Sequence, residues 1–361
     1  MRTFRPSSRC LGAVAAAALL ASPFLFPELG EAQQAHRPHV TIVATGGTIA
    51  GTSTGRTTFQ SYRAGQLPID DMVDELRPEI EEVAELSTVQ FGNRGSGGYA
   101  VEDYYDLTHA VEEALETSDA VVVTVGTTTM EEFAYWLDLT VQSPKPVVLT
   151  GAMRPWTVVG TDAHANLFNA IVLAASGRTT CFGSVILMND EIHAAKEAWK
   201  ADDYRMDTFT SRRIGILGYV DELQVRVFRA PPRIQHCDDP TEWNTPFDLT
   251  EVAKEELPRT EIVIGYQGAG GEAITAFADA GVEGIVVAGG GGAIGSARQE
   301  AMERGVVFAS TSRFRSGRTN LMPQKARLLL LLSLAFTDDP EQVDEWLTRY
   351  GAAEFEMNHR P

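Results

Sequence analysis

Residues 121–133 read VVVTVGTTTMEEF, in which three β-branched valines pass into three adjacent threonines and then into an acidic segment. The valines predict a buried strand, and the segment from Met130 predicts the first turn of a helix. One threonine is enough to cap a helix, and hydroxyl side chains are common in turns for structural reasons alone. The rest of the chain therefore decides whether this turn carries chemistry.

Strand and helix patterns alternate along the chain. Short apolar runs predict strands at 39–47, 120–127, 146–153, 183–190, 260–268, 283–292 and 306–313. Apolar residues at helical spacing predict helices at 101–117 and 130–141 and a final helix pair from Pro323. This alternation predicts an α/β fold with parallel sheets. We expect an N-terminal catalytic domain at 36–228, a linker at 229–258 that begins in a proline-rich stretch, and a smaller C-terminal α/β domain at 259–361.

Composition excludes several classes of function. The chain has 361 residues and a net charge of −19, which disfavours nucleic acid as a partner. It has no Cys-x-x-Cys pair and no His-Glu-x-x-His motif, so no metal site is predicted. Gly290, Gly292 and Gly295 fit the spacing of a dinucleotide-binding turn, but no acidic ribose partner follows. We expect no cofactor.

The N-terminus resembles a signal for export. Arg2, Arg5 and Arg9 precede an apolar run at 11–26, and small residues follow it. We expect residues 1–35 to be a cleaved signal peptide, which would leave a periplasmic or secreted protein without a stable membrane anchor. Cys181 and Cys237 could then form a disulfide, although the sequence does not show that they are close. The apolar run at 328–336 is too short to span a bilayer and predicts a buried helix.

TGGTIAG at 45–51 is the second loop of interest. Ligands of open α/β sheets bind at the carboxyl ends of the strands, and this loop follows the first predicted strand. Gly46 and Gly47 allow the backbone to approach a ligand closely. The hydroxyl of Thr48 could be a nucleophile if a base removes its proton and backbone N–H groups receive the oxyanion. A helix cap after a glycine turn would explain the same residues.

The motifs TGGTIAG, VGTTTMEEFAYWLDLTV, LTGAMRP and MPQKARLLL together resemble the bacterial L-asparaginase/glutaminase family, in its exported type, in order and in spacing. The resemblance implies a two-domain asparaginase-like fold with a larger, flavodoxin-like N-terminal domain. It implies that Thr48 is the nucleophile and that Tyr62 assists it. It further implies that Thr127 pairs with Lys200, a lysine that burial could keep neutral so that it takes the proton through Thr127. The backbone N–H groups of Thr48 and Thr127 would then form the oxyanion hole.

The sequence departs from the family where the substrate's amino-acid head group should bind. Thr128 stands where the family has an aspartate, and Ser96 is followed by Gly97 instead of a polar residue. Gly268 occupies the place from which a neighbouring subunit usually lends an asparagine or serine. With Gly47, these four residues are the predicted substrate-binding positions. The expected glutamate before PQKAR is also absent, and Arg313, Arg315 and Arg318 lie in that shortened stretch.

Three interpretations follow from these departures. The first is a threonine-dependent amidohydrolase that acts on asparagine or a related amide. The second is a family hydrolase whose substrate lacks a free α-ammonium group, such as a substituted amide, an ester or a lactone. The third is an exported protein that binds a small ligand without catalysis. The resemblance also predicts a homo-oligomer, either a tetramer or a dimer.

Overall fold

The computed structural model describes residues 37–211, 214–290, 292–311 and 321–352. The predicted signal peptide lies outside these residues, as do Arg313, Arg315 and Arg318. In the described part of the chain, no helix is long and apolar enough to cross a membrane.

Fifteen strands are present in the described residues. They are β1 (His39–Gly46), β2 (Thr52–Ser53), β3 (Tyr62–Arg63), β4 (Glu85–Arg94), β5 (Ala120–Thr124), β6 (Val147–Thr150), β7 (Ser184–Met188), β8 (Glu191–Ala194), β9 (Trp199–Lys200), β10 (Phe209–Thr210), β11 (Gly218–Asp221), β12 (Gln224–Val227), β13 (Thr260–Ile264), β14 (Gly284–Ala288) and β15 (Val307–Thr311).

Nine α-helices lie in the same ranges. They are α1 (Ile69–Ile80), α2 (Val101–Thr117), α3 (Met130–Thr140), α4 (Ala163–Ala175), α5 (Pro240–Trp243), α6 (Glu272–Asp279), α7 (Gly292–Glu303), α8 (Pro323–Phe336) and α9 (Pro340–Gly351). Local sequence explains several of their boundaries. At the start of α9, for example, Pro340 occupies the first turn, and the Asp339 carboxylate accepts a hydrogen bond from the backbone N–H of Glu341 at 3.0 Å.

The strands form two main sheets. The larger has the order β12-β11-β8-β7-β6-β5-β1-β4, and the smaller has the order β13-β14-β15. Strands β4, β1, β5, β6 and β7 run parallel, and within this set the chain order is 2-1-3-4-5, which is the flavodoxin-like order. All five residues of β5 are buried because helices cover both faces of the sheet. The predicted two-domain α/β fold is confirmed.

The stretch predicted to begin the linker is packed in place. Cys181 and Cys237 form a disulfide with their Cα atoms 5.5 Å apart, which ties residues 232–237 to the start of β7. Trp243 and Phe247 in the same stretch are buried. The run at 328–336 lies in helix α8, and its leucines at 328–332 are buried, as predicted.

Candidate active site

The loops that carry Thr48 and Thr127 meet at the carboxyl ends of β1 and β5. These strands are parallel neighbours, and Ala44 lies opposite Thr124 at the end of their shared register. The chain goes from β1 to β4 on one side and then returns to β5 on the other. The connections that leave β1 and β5 therefore run to opposite sides of the sheet. This opens a crevice between the two strands, of the kind in which open α/β sheets bind ligands.

The two loops touch through glycines. Gly47 has a φ of +80°, and a Cβ added to it would lie 2.5 Å from the Cα and N of Gly126. A Cβ on Gly126 would in turn lie 2.2 Å from Oγ of Ser96. Both positions require glycine, because a side chain at Gly47 would push apart the loops that carry the two threonines, and one at Gly126 would collide with Ser96.

Two pairs of side chains face this crevice. Oγ1 of Thr48 lies 2.7 Å from the hydroxyl of Tyr62, and Nζ of Lys200 lies 3.1 Å from Oγ1 of Thr127. Thr48 and Thr127 are both buried, and the side chain of Lys200 is 12% exposed. Asp203 lies 3.5 Å from Nζ of Lys200 but is 79% exposed, so this ion pair contributes little. The predicted partners are thus within hydrogen-bonding distance of each other.

The backbone beside these hydroxyls has free donors. Within the described residues, the N–H groups of Thr48 and Thr127 form no hydrogen bond with the protein. A buried N–H group without a partner costs free energy unless a ligand or water accepts from it. The arrangement can therefore receive an acceptor such as a carbonyl oxygen.

Tyr62 is held at the site by the hairpin of β2 and β3. The N–H of Ser53 donates to Oγ1 of Thr157 at 3.0 Å, and the N–H of Val159 donates to the carbonyl of Arg56 at 2.8 Å. The guanidinium of Arg154 lies over the ring of Phe59, 4.6 Å from its centroid. These contacts fix the hairpin against the segment that follows β6.

That segment, GAMRPW at 151–156, also supports both catalytic loops. The N–H of Trp156 donates to the carbonyl of Gly51 at 3.0 Å, next to the Thr48 loop. A Cβ on Gly151 would lie 2.5 Å from the carbonyl oxygen of Val125, beside the Thr127 loop. The carboxylate of Asp162 accepts from the N–H groups of Met153 and Arg154, each at 2.9 Å. Burial raises the pKa of Asp162, while these two hydrogen bonds lower it.

Sequence reasoning missed Glu131, which positions Lys200. Glu131 is buried in the first turn of α3, and its Oε2 accepts from the backbone N–H of Lys200 at 3.0 Å. Its other oxygen accepts from Nε2 of Gln324 at 3.3 Å. The buried amine of Lys325 donates to the carbonyls of Ala195, Lys196 and Ala198, just before Lys200. The motifs TMEE and MPQK contain these residues, but neither indicates what they contact.

The predicted substrate-binding residues are only partly brought together. Oγ of Ser96 accepts from the N–H of Thr128 at 3.4 Å, and Thr128 itself is exposed. Gly97 is exposed, and a Cβ there would contact nothing within 4 Å. Gly268 follows β13 of the smaller sheet and also faces open space. Thr129 immediately precedes α3, yet its hydroxyl caps no helix N–H and donates instead to the carbonyl of Ser96 at 3.2 Å.

Comparison with known proteins agrees with this geometry. A sequence model of the asparaginase family, for its N-terminal part, matches residues 39–233. The chain is 37% identical to a probable periplasmic L-asparaginase of Haemophilus influenzae, over 87% of this chain and 94% of the relative. It is 34% identical to L-asparaginase 2 of Escherichia coli, over 87% and 93% of the two chains.

A solved structure is similar as well. The crystal structure of a probable cytoplasmic L-asparaginase from Campylobacter jejuni matches with a TM-score of 0.81 and 32% identity, over 87% of this chain and all of that one. These matches favour an enzyme over a non-catalytic binding protein. The chain belongs to the asparaginase family and is an asparaginase-like amidohydrolase.

Proposed function

We propose that this protein hydrolyses the side-chain amide of asparagine, with Thr48 as its nucleophile. The observation that carries the proposal is the convergence of two hydroxyl pairs, Thr48 with Tyr62 and Thr127 with Lys200, at the crevice between β1 and β5. A binding protein has no need for this arrangement. The relatives named as L-asparaginases support the choice of amide.

The reaction would proceed through a covalent ester. Oγ1 of Thr48 attacks the amide carbon, and the oxyanion accepts hydrogen bonds from the N–H groups of Thr48 and Thr127. The C–N bond then breaks, and ammonia leaves with the proton that the Thr48 hydroxyl gave up. Water hydrolyses the ester to a carboxylic acid and restores Thr48.

Tyr62 and Lys200 would move the protons. The Tyr62 oxygen is the group within hydrogen-bonding distance of Thr48, so it is placed to assist removal of the hydroxyl proton. Lys200 lies 3.1 Å from Oγ1 of Thr127 and would take a proton that the Thr127 hydroxyl passes on from the attacking group, and later return it to the departing ammonia by the same route. Glu131 holds the backbone of Lys200 and is a positioning residue.

The substrate's head group would lie against Gly47, Ser96, Gly97 and Thr128. Gly268 would complete the site of a neighbouring subunit in a homo-oligomer, either a dimer or a tetramer. We further propose export after cleavage of residues 1–35, and domain limits of 36–228 and 259–361 around the segment 229–258. The apolar run at 11–26 and the disulfide between Cys181 and Cys237 support export to an oxidising compartment.

The test is ammonia release from asparagine and from glutamine by the mature protein, with Thr48→Ala measured beside it. We expect saturable release from asparagine that is lost in Thr48→Ala, while the variant keeps the wild-type melting temperature. Release that persists in Thr48→Ala would exclude Thr48 as the nucleophile. If the folded wild-type protein releases no ammonia, asparagine is not its substrate, and substituted amides and esters become the compounds to assay.

A further inference from the structure

Lys200 lies on a strand that does not belong to the larger sheet. Strand β9 consists of Trp199 and Lys200 alone, and it pairs with β10 in a separate two-stranded sheet. A sheet of two such short strands has little stability of its own. The position of the Lys200 side chain, whose Nζ lies 3.1 Å from Oγ1 of Thr127, therefore depends on the turn at 195–198 that leads into β9.

The amine of Lys325 binds the backbone of this turn. Nζ of Lys325 donates to the carbonyl oxygen of Ala195 at 2.7 Å and to that of Lys196 at 3.3 Å, and it also donates to the carbonyl of Ala198. Lys325 is only 1% exposed. Because an ammonium group has three N–H donors, this one side chain holds three carbonyl groups of a four-residue turn in one arrangement.

The position of Lys325 is unfavourable for a cation. Burial removes its ammonium group from water. Lys325 also lies in the first turn of α8, where the positive end of the helix dipole disfavours a positive charge. An apolar side chain of similar length would fill the same space without either cost. The hydrogen bonds to the three carbonyls offset these costs, and the fixed turn is what they provide.

The residue before Lys325 supports the other end of the same segment. Nε2 of Gln324 donates to Oε1 of Glu131 at 3.3 Å, and Oε2 of Glu131 accepts from the backbone N–H of Lys200 at 3.0 Å. Two consecutive residues of α8 thus hold the segment 195–200 at both of its ends. Lys325 does so directly, and Gln324 does so through Glu131.

Other contacts of the turn involve its side chains. Nζ of Lys196 donates to the carbonyl of Ala352 at 2.6 Å, and Glu197 pairs with Arg229. These contacts attach the turn to the residue after α9 and to the segment after β12. Lys325 differs from them because it binds the main chain of the turn. Its loss would therefore release that main chain even while the side-chain contacts remain.

We propose that the first turn of α8 positions Lys200 for the reaction, with Lys325 and Gln324 as the positioning residues. The two side chains fix the segment 195–200, and this segment places Nζ of Lys200 within hydrogen-bonding distance of the Thr127 hydroxyl. The inference rests on the proposed function, in which Lys200 and Thr127 transfer a proton. A displacement of Lys200 by about 1 Å would lower the rate about 100-fold.

The test compares Lys325→Met with the wild type in ammonia release from asparagine, using the mature protein. Methionine is similar to lysine in length but has no N–H donor, so it fills the space without holding the carbonyls. We expect kcat to fall about 100-fold and KM to stay within about twofold, because the contact between Lys200 and Thr127 acts in proton transfer and not in substrate binding. Gln324→Leu removes only the bond to Glu131 and should lower kcat about fivefold.

Ile80→Ala is the control for a general loss of stability. Ile80 is fully buried at the end of α1, close to the start of β4 and therefore near the amino ends of the parallel strands, opposite the catalytic loops. Truncation of a buried isoleucine should lower the melting temperature. When each protein is assayed well below its own melting temperature, kcat of Ile80→Ala should stay within about twofold of wild type. A purely structural role of Lys325 would give the same result in Lys325→Met.

Crystal structures of the two α8 variants give a second readout, which needs no substrate. In Lys325→Met, the distance between Nζ of Lys200 and Oγ1 of Thr127 should lengthen from 3.1 Å by about 1 Å. Gln324→Leu should lengthen the same distance by a smaller amount. If the wild-type protein releases no ammonia from asparagine, the proposed activity fails, whereas this distance still tests the positioning by α8.

Two results would overturn the proposal. One is a kcat for Lys325→Met that stays within about twofold of the value for Ile80→Ala. The other is an unchanged distance of 3.1 Å between Nζ of Lys200 and Oγ1 of Thr127 in the crystal structure of the variant. Gln324→Leu replaces a half-buried, uncharged residue, so both measurements on it decide the question if Lys325→Met does not fold.

Discussion

Replacing Gly47 by alanine tests whether the contact between the two catalytic loops sets the rate. The added Cβ would lie 2.5 Å from backbone atoms of Gly126, about 0.9 Å inside the 3.4 Å at which ordinary contact begins. Neither neighbour is a flexible side chain, so the loops must separate by a comparable distance. Thr48 follows Gly47 directly and Thr127 follows Gly126 directly, and the separation would therefore displace the two threonines from each other.

A displacement of about 1 Å between reacting groups can lower the rate by about 100-fold. We expect kcat for ammonia release from asparagine to fall by about that factor in Gly47→Ala. The positive φ adds a cost of about 1–2 kcal/mol to the free energy of folding, because a residue with a Cβ is strained in that conformation. Stability and rate must therefore be measured on the same preparation.

Gly281→Ala is the matched control. Gly281 has a φ of +75°, close to the +80° of Gly47, but an added Cβ there meets nothing within 4 Å. Both variants should melt at lowered temperatures, with the lower one for Gly47→Ala because of its steric overlap, and only Gly47→Ala should lose turnover. If Gly47→Ala retains kcat within about twofold of Gly281→Ala, the loop contact does not position the threonines, and the reasoning from steric displacement is wrong.

Three further predictions concern positioning, the disulfide and pH. In Glu131→Gln, the new amide N–H₂ group would face either the N–H of Lys200 or Nε2 of Gln324, both of which are donors to Glu131 in the wild type. One hydrogen bond is therefore lost, and kcat should fall about tenfold or more while the far-UV circular dichroism spectrum stays unchanged. Replacing Cys181 and Cys237 together by serine should lower the free energy of unfolding by about 4 kcal/mol, measured in urea, because a loop with a sequence separation of 56 is released. Burial lowers the pKa of His193 to about 4, below its value in the unfolded chain, so the unfolded state binds more protons between pH 6.5 and 4. The free energy of unfolding should thus be highest above pH 6.5 and fall by about 2 kcal/mol between pH 7 and pH 5. Urea titrations at both pH values measure this loss, which should be smaller in His193→Gln.

Each of these has a distinguishing control. Asp203→Asn removes the exposed partner of Lys200 and should leave kcat nearly unchanged, so an equal loss in both variants would contradict the role given to Glu131. Wild-type protein under reducing conditions should reproduce the stability of the double serine variant. A His193→Gln protein that still loses the full 2 kcal/mol would place the titrating group elsewhere.

The sequence predicted those parts of the fold that are set by local pattern. β1, β5, β6 and β7 are buried apolar runs, and they form within the predicted ranges, although each ends before the last predicted residue. Strand β4 was not predicted, because it lies at the edge of the sheet and all ten of its residues are partly or fully exposed. The short antiparallel strands β8, β11 and β12 were also missed, since each has only four residues. Sharp turns join β7 to β8 and β11 to β12, with left-handed residues at Asn189, Asp190 and Glu222.

In the candidate site too, local sequence indicates some residues, whereas contacts between distant parts of the chain determine others. A threonine that follows a strand and two glycines can be recognised from sequence, because its neighbours along the chain determine its position at the crevice. The contact between Gly47 and Gly126 depends on the register of β1 against β5, and the bond from Glu131 to Lys200 joins residues 69 positions apart. The contacts of Arg233 were missed for the same reason, because it lies in a proline-rich segment that predicted only a linker. The packing that buries its guanidinium against Asp138 and Trp243 leaves one N–H group without an acceptor. A buried N–H group that folding leaves without an acceptor costs stability unless something binds to it. For that reason the N–H groups of Thr48 and Thr127, which have no partner within the described residues, favour a carbonyl oxygen at the crevice between β1 and β5.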